Sequence, residues 1–293
     1  MNDNHIIIGY GNWAKKIINF LKKRNFFSKI YIKTRNKYYE HGKNGNISKK
    51  KFLDIKYKIN SVHICSPVNT HFDYLSRLTN FKKIIVEKPF LKNLVQLKKI
   101  QRIYSNSSLI FVNYTYLFSP ILSKLKKYVN KKSNEKIIIN FSKKNTFYKK
   151  KYDCIYDWLD HPLSIILYLF NNFSKFKILK KEFIKKKGFY EKVIINYYYK
   201  NLIVQIKINT SKINKKNITI INNSKKIICN FNNNSIFSKN KRLFKSNKSS
   251  FEMLYYALKN NKKISFQNFN FHKKIIIEKS KIMKKIKNDS KLY

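Results

Sequence analysis

A short apolar run that ends in a glycine-rich turn constrains the fold of this chain more than any other segment. Residues 5–8 read His-Ile-Ile-Ile, residues 9–14 read Gly-Tyr-Gly-Asn-Trp-Ala, and a helical pattern follows. In such a unit Gly9 permits a tight turn, Gly11 lets the backbone approach a phosphate, and Ala14 lets the helix pack on the strand. The helix amino end favours negative charge. We therefore predict a dinucleotide-binding turn formed by Gly9, Gly11, Asn12, Trp13 and Ala14.

A second apolar run, residues 84–86, ends abruptly in Glu87, Lys88 and Pro89. Buried parallel strands have continuous apolar sequences, and open α/β sheets bind their ligands beyond the carboxyl ends of the strands. A strand that stops on Glu-Lys-Pro therefore sets an ammonium group at a ligand-binding edge. We interpret Lys88 as a candidate for proton chemistry.

Short apolar runs separated by helical patterns organise the first half of the chain. We predict strands at 5–8, 29–33, 62–65, 83–86 and 109–112, and helices at 13–23, 69–78 and 93–104. This alternation is typical of βαβ units with a parallel sheet.

The second half changes character, because strands with hairpin-like spacing dominate it. We predict strands at 137–141, 192–199, 202–208, 218–221 and 226–231, and helices at 121–128, 251–259 and 272–287. The fold class is therefore α/β: an N-terminal parallel sheet is followed by an α+β domain with a largely antiparallel, open sheet. We place the two domains at residues 1–116 and 117–293.

The end of the second predicted strand bears on the choice of dinucleotide. An acidic residue about 20 residues beyond the glycine turn normally binds the adenosine ribose. Here Thr34 and Arg35 stand at that place, with no acid. A guanidinium suits a 2′-phosphate, so we predict NADP as the preferred cofactor, with NAD as the alternative. Arg35 could instead be one more surface cation.

Residues 152–169 carry a second constellation of polar groups. If this segment is helical, Asp157 and His161 lie four residues apart on one face, where the carboxylate can orient and charge the imidazole. A histidine on an apolar helix is also commonly a satisfied core residue. The acid one turn before it leads us to predict a catalytic role for His161, supported by Asp157.

The composition suggests a different class of protein, and we give that suggestion less weight. The formal net charge is +51, which is typical of nucleic-acid or anionic-membrane partners. The 60 lysines, however, are spread along the whole chain and greatly outnumber the five arginines. We interpret most of this charge as solvated surface, so that a nucleic-acid partner is disfavoured but stays an alternative.

The cysteines and the first residues of the chain indicate in which cellular compartment the protein is expected. Cys65, Cys154 and Cys229 are odd in number and far apart, which fits neither a disulfide framework nor a zinc site, so we expect free thiols and no metal. Residues 6–8 are the only apolar run before the first glycine, too short for a signal-peptide core or a membrane span. We expect a soluble cytoplasmic protein with no membrane partner.

Taken in order along the chain, these motifs resemble the Gfo/Idh/MocA family of oxidoreductases (glucose-fructose oxidoreductase and inositol dehydrogenase). The motifs are Gly-x-Gly-x-x-Ala at 9–14, Cys-Ser-Pro-Val-Asn-Thr-His at 65–71, Glu-Lys-Pro at 87–89, and Asp157 with His161. The resemblance implies a Rossmann domain followed by a domain whose open sheet packs against a partner subunit, in a homodimer or homotetramer. It also implies an NAD(P)-dependent dehydrogenase or reductase that transfers a hydride to or from a carbinol carbon of a sugar, cyclitol or nucleotide sugar.

The resemblance also implies roles for individual residues. Lys88 would hydrogen-bond the reacting oxygen, His161 would exchange its proton, and Asp157 would support His161. Glu87 would contact the nicotinamide ribose or order its loop, and Pro89 would follow a cis peptide bond. The nicotinamide side would be lined by Ser66, Pro67, Thr70 and His71.

Departures from the family pattern leave an alternative open. Relatives usually have a glycine two residues before the histidine and an acid three residues after it, where this chain has Leu159 and Ser164. A catalytically silent relative that binds NAD(P) as a sensor or scaffold is therefore the alternative. The sequence around His161 also resembles members associated with surface-polysaccharide synthesis, which favours a sugar or nucleotide-sugar substrate.

Overall fold

The computed structural model describes most of the chain in two compact units. The described residues are 4–23, 29–35, 37–42, 46–48, 59–81, 83–104, 109–129, 135–144, 155, 158–173, 176–186, 189–211, 214–222, 225–260 and 267–289. The first unit comprises Met1–Asn113 with Lys263–Ile276, and the second comprises Tyr114–Lys262 with Ile277–Tyr293.

The first unit contains a six-stranded sheet with helices between its strands. The strands are β1 (His5–Ile8), β2 (Ile30–Lys33), β3 (Tyr38–Glu40), β4 (Ser61–Ile64), β5 (Lys83–Val86) and β6 (Leu109–Val112), in the order β3-β2-β1-β4-β5-β6. All neighbouring strands are parallel except β2 and β3. The helices are α1 (Asn12–Lys23), α2 (His71–Arg77) and α3 (Leu94–Ile103). The predicted parallel, Rossmann-type sheet is confirmed, and the short edge strand β3 is an addition that the sequence analysis missed.

Burial explains why these segments form strands and helices. Every residue of β1 and β4 is buried, as expected for central strands of a parallel sheet that is covered on both faces. In α1 the buried residues are Ala14, Ile17, Ile18 and Leu21, which recur at the spacing of one helix face. The apolar face of α1 thus packs on the sheet and begins right at the glycine turn.

Among its described residues, the second unit contains an eight-stranded sheet and several helices. The strands are β7 (Lys136–Lys144), β8 (Lys177–Lys186), β9 (Phe189–Tyr199), β10 (Leu202–Ser211), β11 (Lys215–Ile221), β12 (Lys226–Asn230), β13 (Ser235–Ser238) and β14 (Lys241–Lys245), in the order β14-β13-β12-β11-β7-β10-β9-β8. The helices are α4 (Pro120–Leu125), α5 (Asp160–Phe170), α6 (Ser250–Lys259) and the later turns of α7 (Phe269–Asp289).

Only β7 and β10 pair in parallel in this sheet, and the other neighbours are antiparallel. The predicted, largely antiparallel second sheet is therefore confirmed. Strands β8, β13 and β14 were not predicted. No helix in the part of the chain that the structure describes combines the length and the hydrophobicity that crossing a bilayer requires.

Candidate active site

The glycine turn closes tightly against the neighbouring strand end. The Gly9 amide donates to the Lys33 carbonyl oxygen at 2.8 Å, and Gly9 has a φ of +94°. A Cβ atom on Gly9 would lie 3.0 Å from the carbonyl carbon of Cys65 and 3.0 Å from the amide nitrogen of Ser66. Glycine is therefore required at this position on two grounds, backbone conformation and space.

Gly11 is different, because a Cβ atom there would meet nothing within 4 Å. The backbone beside Gly11 is open, and α1 begins at the next residue, so amide groups of the first helical turn carry no intrahelical partner. Ala14 is fully buried against the sheet. This arrangement is a cradle that a pyrophosphate group fits.

The strands adjacent to the glycine turn end at the same level. Each strand is followed by a residue whose amide donates to the last carbonyl of its neighbour: Cys65 to Ile8 at 2.8 Å, Glu87 to Ile64 at 2.9 Å, and Asn113 to Val86 at 2.7 Å. The predicted groups from β1, β4 and β5 therefore lie along one carboxyl edge of the sheet, which is where open α/β sheets bind ligands.

Glu87 is the centre of a hydrogen-bond network at this edge. Asn113 donates through Nδ2 to Glu87 Oε1 at 2.5 Å, and Trp13 contributes a further side-chain hydrogen bond. Burial raises the pKa of Glu87 to about 7, although these hydrogen bonds and the Lys88 charge lower it. Burial and the nearby Glu87 charge raise the pKa of the Cys65 thiol well above its usual value. Of the two predicted roles for Glu87, these contacts support the ordering of the loop.

The turn after β4 is fastened to the Glu-Lys-Pro loop by His71. Its Nε2 lies 2.8 Å from the Ser66 carbonyl oxygen, and its Nδ1 lies 3.0 Å and 3.1 Å from the carbonyl oxygens of Pro89 and Phe90. His71 is buried, and burial lowers its pKa. Both ring nitrogens thus face backbone carbonyl oxygens, Nε2 that of one loop and Nδ1 those of the other, and the side chain joins these loops.

Thr70 orders the same turn from within. Its hydroxyl donates to the Ser66 hydroxyl at 2.7 Å and lies 2.8 Å from the Pro67 carbonyl oxygen. The Lys88–Pro89 peptide bond is cis, as the resemblance implied. Lys88 itself is partly exposed. The structure therefore brings Ser66, Pro67, Thr70, His71, Glu87 and Lys88 together, and their contacts with a cofactor stay a prediction.

The end of β2 forms a small turn that carries Arg35. The Thr34 amide donates to the Lys37 carbonyl oxygen at 2.9 Å, and the Thr34 hydroxyl donates to the same oxygen at 3.1 Å. Arg35 is exposed between them. The next acid along the described chain is Glu40, which is buried and has its Oε1 4.0 Å from Lys29 Nζ. No described carboxylate stands where a ribose-binding acid is expected.

In the second unit, His161 lies in the first turn of α5 among aromatic rings. Its ring centroid is 4.8 Å from that of Tyr116, 5.9 Å from that of Phe141 and 5.8 Å from that of Trp158. The ammonium of Lys216 lies 5.8 Å and 5.6 Å from the ring centroids of Tyr116 and Trp158. The predicted partner Asp157 lies outside the described residues.

The acid that the structure shows next to His161 is Asp160, which the sequence analysis did not single out. Its Oδ1 lies 2.8 Å from Lys279 Nζ on α7, and its side chain is only 3% exposed. Ser164 donates through its hydroxyl to the His161 carbonyl oxygen at 2.7 Å. Two other contributors were also missed, Asn113 and Lys279. Asn113 could have been found as a polar residue directly after an apolar strand.

Residues 4–115 match the family model GFO_IDH_MocA, described as an oxidoreductase family with an NAD-binding Rossmann fold. Over these residues the chain is similar to the Gfo/Idh/MocA family. The predicted family and the class of NAD(P)-dependent oxidoreductase are thereby confirmed. A search of curated protein sequences found no match.

Solved structures of dehydrogenases share the fold along nearly the whole of this chain. A dehydrogenase (MviM) from Clostridium difficile is 17% identical, with a TM-score of 0.72, and the match covers 99% of this chain and 100% of that one. The UDP-N-acetylglucosamine 3-dehydrogenase GnnA from Acidithiobacillus ferrooxidans is 10% identical, with a TM-score of 0.76 and coverage of 96% and 97%. D-galactose-1-dehydrogenase from Rhizobium etli is 11% identical, with a TM-score of 0.69 and coverage of 88% and 87%. At these identities the likeness is one of fold.

The described residues of the chain contain no group of three or more His, Cys, Asp or Glu side chains placed to hold a metal ion. Cys65 and Cys229 are free thiols there, and Cys154 lies outside the described residues.

Proposed function

We propose that this Gfo/Idh/MocA protein transfers a hydride between NADP(H) and a carbinol or carbonyl carbon of a sugar, cyclitol or nucleotide sugar. The observation that carries the proposal is the single sheet edge that holds both the glycine turn and the Glu87-Lys88-Pro89 loop. In this proposal residues 1–116 bind the cofactor, and residues 117–293 bind the substrate and a partner copy in a homodimer or homotetramer.

The residues present fit a dinucleotide. The open backbone at Gly11 and the amino end of α1 accept a pyrophosphate, and Asn12 and Trp13 flank it. Exposed Arg35 lies beside Thr34, and no carboxylate of the described residues stands in this turn to repel a phosphate, which supports NADP over NAD. The bound cofactor supplies or accepts the hydride.

The chain's own residues handle the proton and the developing charge. Lys88 donates a hydrogen bond to the reacting oxygen, and His161 takes up or returns the hydroxyl proton, supported by Asp157. A hydride leaves a carbon readily only when this proton is removed as the carbonyl forms, which is general acid–base catalysis. A cationic donor on the oxygen also stabilises an alkoxide.

Two of the structural neighbours support a sugar-like substrate, because their names specify a nucleotide sugar and a hexose. The net charge of +51 attracts phosphorylated sugars to this chain. We extend the proposal to a cytoplasmic enzyme of surface-polysaccharide biosynthesis.

The first experiment titrates the purified protein with NADPH and with NADH and follows nicotinamide fluorescence. We expect tighter binding of NADPH. Replacing Arg35 with Ala should weaken NADPH binding by about tenfold and leave NADH binding unchanged, because the guanidinium contacts only the 2′-phosphate. Lys37→Ala, in the same turn and equally exposed, is the matched control. Equal affinities of the wild type for both cofactors would contradict the NADP preference.

A second experiment tests the role of Lys88 in turnover separately from cofactor binding. Lys88→Met should lower turnover on an active sugar by about a hundredfold or more while NADPH still binds, because only the reacting oxygen loses a donor. Lys92→Met, an exposed lysine shortly after the same loop, should leave turnover unchanged. Full turnover in Lys88→Met would overturn the proposed role.

The second candidate function is a catalytically silent NAD(P)-binding sensor or scaffold. The observation that favours it is Ser164, whose hydroxyl donates a hydrogen bond to the His161 carbonyl oxygen. Ser164 also has no carboxylate with which to bind substrate hydroxyls. NADPH binding together with no oxidation or reduction of any sugar in a broad screen would support this candidate.

A further inference from the structure

We propose that Lys279 is a positioning residue for His161, acting through a buried ion pair with Asp160. Lys279 holds the first turn of α5 in place and balances the charge of Asp160, the residue directly before His161. This inference rests on the proposed function, because it concerns the histidine that exchanges the substrate proton.

The ion pair is short and shielded from water. Lys279 Nζ lies 2.8 Å from Asp160 Oδ1, with side-chain exposures of 16% and 3%. A carboxylate this deeply buried is costly to hold without a compensating cation. Asp160 also opens α5, where the helix dipole favours negative charge. Since Asp160 precedes His161 directly, whatever fixes Asp160 also fixes the backbone that carries the imidazole.

Lys279 is itself held in place by its neighbours on α7. The preceding residue, Glu278, is buried and accepts a hydrogen bond from the Tyr197 hydroxyl at 2.9 Å on β9. This bond anchors the helix on the sheet at the position of Lys279. The ammonium therefore meets Asp160 from a fixed backbone, as a positioning contact requires.

Several charged or titratable groups lie around this first turn of α5. Tyr114 is close enough to Asp160 that, after burial, the Asp160 charge is the second cause of its raised pKa. Tyr116 contacts His161 directly, and Lys216 lies over the rings of Tyr116 and Trp158. In this setting Asp160 and Lys279 together add no net charge, and removing either one leaves an unbalanced charge in the first turn of α5, which also carries His161.

The test uses charge changes of opposite sign. Lys279→Met leaves the Asp160 carboxylate, which favours the imidazolium, so the titration midpoint of His161 should rise by roughly half a pH unit or more. Asp160→Asn leaves the ammonium and should lower that midpoint by a similar amount. The Asp160→Asn, Lys279→Met double variant should return it to the wild-type value. NMR of the imidazole C–H proton in cofactor-free protein measures all three.

Two further variants separate positioning from general stability. Lys279→Arg keeps the charge and should restore the wild-type midpoint. Lys281→Met removes an exposed lysine two residues along the same helix, 61% exposed and 3.8 Å from Glu278, and should leave the midpoint unchanged. If Lys279→Met does not fold, Asp160→Asn and the double variant still test the role of Lys279, because neither of them contains a buried, unpaired carboxylate.

The pH dependence of turnover distinguishes a failure of this inference from a failure of the proposed function. If the proposed function holds, the limb of the pH–kcat profile assigned to His161 should move with the NMR midpoint in each variant, while KM changes little. If the His161 titration midpoint shifts in the variants but no sugar is turned over, the proposed function is overturned and the charge coupling between the ion pair and His161 is supported. An active enzyme whose midpoint and limb are the same in all variants would overturn the role of Lys279.

Discussion

Among single residues, Gly9 and Gly11 of the glycine turn have different structural surroundings. Gly9 has a positive φ and no room for a Cβ atom, whereas Gly11 has open space around it. Gly9 is therefore required for folding, whereas the proposed function assigns the open space at Gly11 to the approach of a pyrophosphate. Substitution by alanine at each position separates the two requirements.

Gly9→Ala should lower the free energy of unfolding by roughly 2 kcal/mol or more, because a methyl group would clash with the backbone of Cys65 and Ser66 at a strained φ. Urea unfolding measures this loss. Gly42→Ala is the matched control, since Gly42 has a φ of +89° but nothing within 4 Å of its Cβ position. A loss no larger than that of the control would show that the clash is relieved at little cost.

Gly11→Ala should leave the free energy of unfolding nearly unchanged and weaken NADPH binding by about tenfold or more, because its methyl group would occupy the approach of the pyrophosphate. Fluorescence titration and urea unfolding of the same preparation measure both effects. Unchanged NADPH affinity would place the pyrophosphate elsewhere.

Glu87 predicts a dependence of stability on pH. Its pKa is about 7 in the folded chain and ordinarily 4.5, so between these values the folded chain holds a proton that the unfolded chain has lost. By linkage, protonated Glu87 stabilises the folded chain at low pH, and this stabilisation is lost as the pH rises from 4.5 to about 7.

Glu87→Gln keeps an oxygen acceptor for Asn113 and cannot titrate. The free energy of unfolding of this variant should therefore rise relative to wild type by roughly 2 kcal/mol between pH 4.5 and pH 7. Urea unfolding of both proteins at several pH values measures the difference, in which the contributions of the buried histidines cancel. A difference that stays constant with pH would show that Glu87 titrates normally.

Among the secondary-structure elements, the edge strand β6 depends on a residue far away in the sequence. Gln267 accepts a hydrogen bond from the Val112 amide at 2.7 Å and donates to the Val112 carbonyl oxygen at 3.0 Å. An edge strand presents backbone groups that need partners. One side chain thus completes the pairing of β6 immediately before Asn113, the partner of Glu87.

Gln267→Leu should destabilise the first unit by about 1–3 kcal/mol, because it leaves the amide and carbonyl of Val112 without these partners. Hydrogen exchange of the Val112 amide should accelerate accordingly. Gln96→Leu removes a single bond to the exposed Lys92 amide and is the milder control. An unchanged hydrogen-exchange rate of the Val112 amide in Gln267→Leu would contradict the proposed role of Gln267 in stabilising β6.

In the whole molecule, lysine side chains cover aromatic surface. Ammonium groups lie 4.8–5.9 Å from aromatic ring centroids in eleven described pairs, for example Lys126 over Tyr168 and Lys248 over Tyr256. Long lysine stems pack on apolar surface while their charges remain in water. This packing agrees with the interpretation of the charge as solvated surface, and the absence of a nucleic-acid partner stays a prediction.

With a net charge of +51, the positive side chains repel one another in the folded protein, so salt should stabilise it. Raising NaCl from roughly 0.05 M to 0.5 M shortens the Debye length and should raise Tm by about 3 °C or more. A thermal scan across this series measures the effect. A Tm that falls with salt would show that attractive ion pairs outweigh the repulsion.

Several features followed from local sequence because their physical causes are local. The period of apolar residues distinguished the strands and helices of the first unit, and the turn at Gly9 demanded a residue that tolerates positive φ. Strands β8 and β14 escaped prediction because their many lysines hide the alternation of a strand. Such edge strands are defined by the neighbour they pair with.

The sequence by itself thus determined the family resemblance, the parallel sheet with its glycine turn, and the sheet edge that carries Lys88. Only the tertiary structure decided the partners: Asn113 for Glu87, Gln267 for Val112, and Lys279 for Asp160. Each of these contacts joins residues distant along the chain, and local periodicity carries no information about such pairs. Among 60 lysines of similar local sequence, only the folded chain shows that Lys279 is the one whose ammonium lies 2.8 Å from the buried Asp160 carboxylate.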